Sequence, residues 1–320
     1  MFTNSLTTSL KKNKITKRIF KLILNKSDLL NKIYYLINQR KNIHNWINLL
    51  FLLLNKKNKI NLTFKCGFEF QDFEFKNWKY LVYYLNAINW GITIKNDDDK
   101  IFAYFGQLKI QLMDKINGIY QVNEIFMTES YRNFDYKNKV VFDIGGFIGI
   151  SALYFALNGA KKVYVYEVNK EAYNILINNI SNNNFKSIID AFNIGVSDDY
   201  KEKILNITKI KGSSGFFSEF SEPMNIQEKR IIKLVPFKTV LKEDVDILKI
   251  DCEGCEFEIL NSILTNRFIE KIEEGIILEA HYLDEKRNPD YAIQILNQIG
   301  FREIVSIRLP NNRMMIEAIK

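Results

Sequence analysis

From about residue 137 onward, short apolar runs alternate with stretches whose apolar residues recur every three or four positions. "KVVFDIGG" reads as a strand and turn, "GISALYFALNG" as a helix, "KKVYVYEV" as a strand and "NKEAYNILINNISNN" as a helix. "IIDAFNIGVSDD" reads as a third strand, and "DVDILKIDCEG" and "EEGIILEAHY" as two more, each followed by a helical pattern. Apolar runs at this spacing, joined by helices, predict a parallel sheet covered on both faces. The end differs: "FREIVSIRLPNNRMMIEAIK" holds two β-like runs joined by "LPNN" with no helix between them, a terminal hairpin.

The first 136 residues follow another rhythm. Ile15, Ile19, Leu22, Ile23, Leu30, Ile33, Tyr34 and Ile37 make one helical stripe, and the pattern to residue 54 predicts two or three helices. A strand-like "LTFKCGFEF", a helix around "WKYLVYYLNAI" and strand runs in "IFAYFGQLKIQLM" follow, with "NDDD" as a turn. The expected organisation is a basic helical extension over 1–62, a small α/β accessory segment over 63–136, and a ligand-binding α/β domain over 137–320.

At 320 residues, 47% hydrophobic and 26% charged, the chain can bury a substantial core, which excludes wholesale disorder. Its many Lys, Asn, Ile, Phe and Tyr are what AT-biased coding would give, so the asparagines are not read as functional. Charge is uneven: residues 1–60 hold thirteen Lys or Arg against one acid, Asp28, and the remaining 260 residues carry a net −4. A basic arm of this kind suits an anionic surface, either membrane or nucleic acid, or is simply a solvated helical face. "WINLLFLLL" is far shorter than the roughly 20 residues that cross a bilayer, and Lys21, Asn25 and Lys26 interrupt any signal-type core. The expected location is cytoplasmic, with peripheral membrane contact left open.

The chemistry gathers at strand ends. Ligands of open parallel sheets bind beyond the carboxyl ends of the strands. There Gly145, Gly146 and Gly149 supply a tight turn, and the following helix offers free N–H groups. Phe147 breaks the G-x-G spacing that a dinucleotide pyrophosphate needs. Asp143 at the strand end suits a cationic or amino-bearing ligand instead, and Glu167, at the next strand end, suits a ribose diol. S-adenosylmethionine (SAM) carries an ammonium, a sulfonium and ribose hydroxyls, so it is the expected cofactor. Val168 adjoins Glu167, and Ser197 and Asp198 are within reach of an adenine amino group if "GVSDD" ends the third strand. In "VDILKIDCEGCEFEIL", Lys249, Asp251, Glu253 and Glu256 cluster at a strand end and the first turn of a helix. Cys252 and Cys255 invite a metal or redox reading as C-x-x-C. With Cys66 the one other cysteine, they are read instead as small apolar positions between the acids.

These two stretches together resemble the FkbM family of SAM-dependent methyltransferases. The family's Asp-x-Gly-x-x-x-Gly is matched by Asp143, Gly145 and Gly149, its acidic second motif by Glu167, and its Lys-x-Asp-x-Glu-Gly-x-Glu by Lys249, Asp251, Glu253, Gly254 and Glu256. Glu279 and His281 resemble a further acid–His feature. The likeness covers about residues 120–320. Val168 stands where members usually have Pro, and Gly146 and Phe147 where they often have Ala-Asn; neither change removes a ligand group.

The resemblance implies a class I methyltransferase fold: a mostly parallel seven-stranded sheet ending in an antiparallel hairpin. It also implies methyl transfer to a hydroxyl of a sugar, glycolipid or other small metabolite. Asp143, Gly145, Gly146, Gly149, Glu167, Val168, Ser197, Asp198 and Asp251 are the expected cofactor residues. Lys249, Asp251, Glu253, Glu279 and His281 are the expected catalytic ones. His281 is the candidate general base, since Glu279 and His281 share one strand face. Asp251, Glu253, Glu279 and His281 could also hold a divalent ion, but no metal is assigned. Two other functions stay open: an RNA methyltransferase using the basic arm on phosphates, and a catalytically silent scaffold.

Overall fold

The computed structural model describes residues 27–54, 56–114, 118–128, 130–208, 226–309 and 312–320. The described residues form two compact units, one of residues 27–88 with 94–96, the other of 89–93 with residues from 97 onward.

In the first unit, helix α1 (Ser27–Gln39) packs on helix α2 (Trp46–Leu53). Ile15, Ile19, Leu22 and Ile23 of the expected stripe lie outside the described residues. Strands β1 (Lys59–Thr63) and β2 (Glu69–Glu74) pair antiparallel, and helix α3 (Trp78–Asn89) follows. "LTFKCGFEF" is therefore not one strand. Gly67, at φ +87°, reverses the chain inside it, and Phe64 N–H donates to Phe68 O across the turn.

The second unit opens with an antiparallel hairpin, β3 (Lys100–Phe105) and β4 (Leu108–Leu112), and a short helix α4 (Gly118–Val122). The alternating segment then builds β5 (Val140–Ile144), α5 (Ile150–Leu157), β6 (Lys162–Tyr166), α6 (Lys170–Asn182) and β7 (Ile189–Phe192). Three strands of a side sheet follow: β8 (Gly195–Ser197), β9 (Lys201–Thr208) and β10 (Ile226–Pro236). The chain finishes with β11 (Val245–Ile250), α7 (Glu256–Thr265), β12 (Ile272–Ala280), α8 (Pro289–Ile299), β13 (Glu303–Leu309) and β14 (Arg313–Ile319).

The main sheet has seven strands in the order β13-β14-β12-β11-β5-β6-β7. The five strands from β12 to β7 run parallel, and β14 pairs antiparallel with both β12 and β13. This is the expected fold, hairpin included. Strands buried on both faces read as unbroken apolar runs: Val245, Leu248 and Ile250 of β11 and Ile276 and Leu278 of β12 pack with Phe257, Leu260 and Ile263 of α7 and Ile295 of α8. Helix α8 starts on Asn288, whose side chain accepts from Tyr291 N–H, with Pro289 in the first turn, and it ends at Gly300, φ +105°. Strand order reverses between β5 and β11, and a cleft opens at that switch point.

"IIDAFNIGVSDD" is two strands, not one. The chain breaks at Asn193, whose amide donates to Glu167 O and Val168 O, and β8 then leaves the main sheet to pair with β10.

Two other asparagines also have a structural task. Asn179 on α6 and Asn183, which caps its C-terminus one turn later, present their amides to Gln111 and Lys109 of β4, each accepting an N–H and donating to a carbonyl. They serve β4 as a neighbouring strand would. Asn179 is fully buried, so Asn179→Ala strands the backbone groups of Gln111 and should cost about 1–3 kcal/mol in chemical denaturation.

Candidate active site

The turn after β5 explains the glycines. Gly145 has φ +84°, and a Cβ there would lie 1.7 Å from Asp251 O, so only glycine lets the ends of β5 and β11 meet. Gly146 packs on Val165, where a Cβ would meet Cγ2 at 2.0 Å, and Gly149, at φ +86°, starts α5. Phe147 also takes a positive φ of 47° and aims its N–H at Glu167 Oε2, 2.8 Å away.

Glu167 is buried at the end of β6. Its second oxygen accepts from Asn169 N–H at 2.6 Å. Burial pushes its carboxyl up to about 7, against the two backbone N–H groups, which lower it. Each carboxylate oxygen accepts more than one hydrogen bond, so acceptor capacity remains on both. The cleft it lines is also lined by Tyr166, Val168, Ile194 and Val196 and by Asp251, Cys252 and Glu253.

A second cluster joins β11, α7, β12 and β14. Glu256, at the start of α7, has no exposed surface; it accepts from Gly254 N–H at 2.7 Å and meets His281 Nδ1 at 2.5 Å. His281 Nε2 lies 3.4 Å from Glu253 and 3.5 Å from Glu279. Glu279 is also ion-paired to Arg313 from β14, and Tyr120 of α4 donates to Glu124 at 3.0 Å. Burial works against a charged imidazole, but Glu253 and Glu256 outweigh it and hold the His281 pKa well above its ordinary value. Burial, reinforced by Asp251, raises Glu279 to about 8; Glu253 rises to about 7 through burial, with His281 opposing. Asp251, Glu253 and His281 could hold a cation, each offering one ligand atom within 4.8 Å of the others.

Residues 143–303 match the family described as the Methyltransferase FkbM domain, half of the chain. The chain belongs to the FkbM methyltransferase family. Among solved structures it is similar to the FkbM methyltransferase of Methylobacillus flagellatus KT, at 17% identity and a TM-score of 0.43, covering 61% of this chain and 46% of that one. This FkbM chain thus spans less than half the length of that relative. It is also similar to magnesium protoporphyrin IX methyltransferase from Synechocystis PCC 6803, solved with SAM bound, at 11% identity and a TM-score of 0.37, covering 62% of this chain and 78% of that one. No curated protein matches the sequence.

Within this FkbM fold, Gly145, Glu167, Val168, Asp251 and Glu253 line one cleft. Asp143 does not. Its carboxylate is fully buried beneath the turn, with Lys249 Nζ 2.9 Å from Oδ1 and Ser151 Oγ donating to Oδ2 at 2.5 Å. Lys249 also donates to Gly145 O at 2.8 Å, so it ties the two motifs together. Ser197 and Asp198 are likewise drawn away: Ser197 Oγ sits between Asp198 and Glu258, and Lys201 pairs with both acids. Ile194, Gly195 and Val196 line the cleft in their place.

Cys255 lies in the apolar core with Cys252 packed against it, as expected, but the two are also joined. Cys252 and Cys255 form a disulfide with Cα atoms 5.6 Å apart, because Glu253 (φ 52°) and Gly254 (φ 121°) fold the chain back between them. Glu256 stood in the recognised motif without an assigned role, and Arg313 carried no signal at all, since a hairpin arginine looks like any surface cation.

Proposed function

We propose that this methyltransferase uses SAM to methylate a hydroxyl of a sugar, glycolipid or other small polyhydroxy metabolite. The reading is supported by the cleft itself, whose lining brings Glu167, Asp251 and Glu253 together. The residues fit the cofactor's chemistry. Glu167, with acceptor capacity left on both oxygens, suits the ribose diol; Val168, Ile194 and Val196 suit a flat ring; Asp251 suits the ammonium. The glycine-only contact of Gly145 with Asp251 keeps these groups around one space. SAM, when bound, supplies a methyl group activated by its sulfonium.

The chain must orient the acceptor and take its proton. His281, expected as the base, is poorly suited, since Glu253 and Glu256 hold its pKa well above the ordinary value and so disfavour the neutral ring that takes a proton. Glu253 suits the role better: it lines the cleft, and a carboxyl near 7 changes protonation at the pH of the cell. Glu256 and His281 then fix the Glu253 turn, and Arg313 balances Glu279. Incubation of the protein and methyl-labelled SAM with a polar and glycolipid extract tests the reading. The expected result is a labelled methyl ether on a hydroxyl; label on an RNA base, or no transfer, counts against it.

A further inference from the structure

The first unit carries an apolar surface of its own. Helix α2, "WINLLFLL", is apolar nearly all round. Leu49, Leu52 and Leu53 are buried, while Ile47 (53% exposed), Phe51 (43%) and Leu54 (51%), just past the helix, lie at i, i+4, i+7 on the outside. On α1, Leu36 is buried, and Leu30 (37%), Tyr34 (44%) and Ile37 (40%) form a second outward stripe at i, i+4, i+7. A helix apolar on opposite faces needs cover on both.

Charge decides what that cover is. Residues 27–68 contain seven Lys or Arg against one acid, Asp28. Arg40, Lys41, Lys56, Lys57 and Lys65 are exposed around the helices, and Lys57 Nζ stands 5.8 Å from the Phe51 ring centroid. Residues 1–26 add seven cations and no acid. A second copy would therefore bring like charge to like, as would the chain's own first 26 residues. A nucleic acid would match the charge but leave the apolar side chains in water. An anionic lipid surface meets both needs, taking the apolar stripes into its acyl boundary and the cations among its headgroups. Among the described residues no helix is long and apolar enough to cross a membrane.

We infer that the outward faces of α1 and α2 form a docking surface that lays the protein on an anionic bilayer. Flotation of the full chain with phosphatidylcholine vesicles, with and without phosphatidylglycerol, tests it. The protein should float with the anionic vesicles, not with the neutral ones, and lose retention as salt rises. The pair Ile47→Glu and Phe51→Glu should weaken retention at least about tenfold, with the thermal melt and SAM affinity unchanged. Lys41→Glu with Lys57→Glu, which leaves the apolar stripes intact, should do the same. No flotation with anionic vesicles overturns the inference. So does full retention in both variants, or a wild-type dimer that the first variant makes monomeric.

Discussion

Asp143→Ala should destabilise the protein by about 3–5 kcal/mol, read as a lower urea midpoint at an unchanged slope. The reason is its partner. Lys249 and Asp143 are directly opposed in the register of β11 and β5, both out of reach of water, with Nζ 2.9 Å from Oδ1. Burial works against the Lys249 charge, and Asp143 and Asp251 restore it, leaving its pKa above the ordinary value. Without Asp143, an ammonium is left in the core with the Gly145 carbonyl and a distant Asp251, 4.0 Å away. Replacing Lys249 by Met in the same variant should recover part of the loss, since two buried charges can give way to apolar packing at little cost. A loss below about 1 kcal/mol would show that water reaches the pair.

Glu253→Gln should lower turnover roughly 10²–10⁴-fold with SAM affinity intact, because the amide keeps the shape of the side chain but accepts no proton. The wild-type rate should rise with pH through about 7, where the Glu253 carboxyl ionises, and then level off. The variant's residual rate should lack that rise. His281 lowers the Glu253 pKa, so His281→Asn should move the rise to higher pH rather than abolish it. The assay needs the acceptor found by the labelling experiment. A Glu253→Gln enzyme with full turnover returns the role of base to Asp251 or Glu279.

Much of the catalytic unit was legible in the sequence because two periodicities carry it. Buried parallel strands are short apolar runs, helices repeat every three or four positions, and the break in that rhythm after residue 300 marked the hairpin now seen as β13 and β14. Glu167 and Glu253 were legible as acids at strand ends. Register was not. Whether Asp143 faces a ligand or the core depends on Lys249 lying opposite it, a fact about pairing rather than about either run. Ser197 and Asp198 do not line the cleft because the chain turns at Asn193, after β7, and enters a strand of another sheet. Glu256 and His281 meet across 25 residues, and Arg313 reaches Glu279 from the last strand. Asn179 and Asn183, credited to coding bias, turn out to seal the edge of β4.

If Glu167 holds the ribose of SAM in this cleft, removing its carboxylate weakens cofactor binding. Titration calorimetry of SAM into the full chain and into Glu167→Ala tests it most directly. The expected result is one site per chain, weakened roughly ten- to a hundredfold in the variant by loss of a charge-assisted hydrogen bond of about 1.5–3 kcal/mol. No heat from the wild-type chain, or equal affinity in the two proteins, would contradict it.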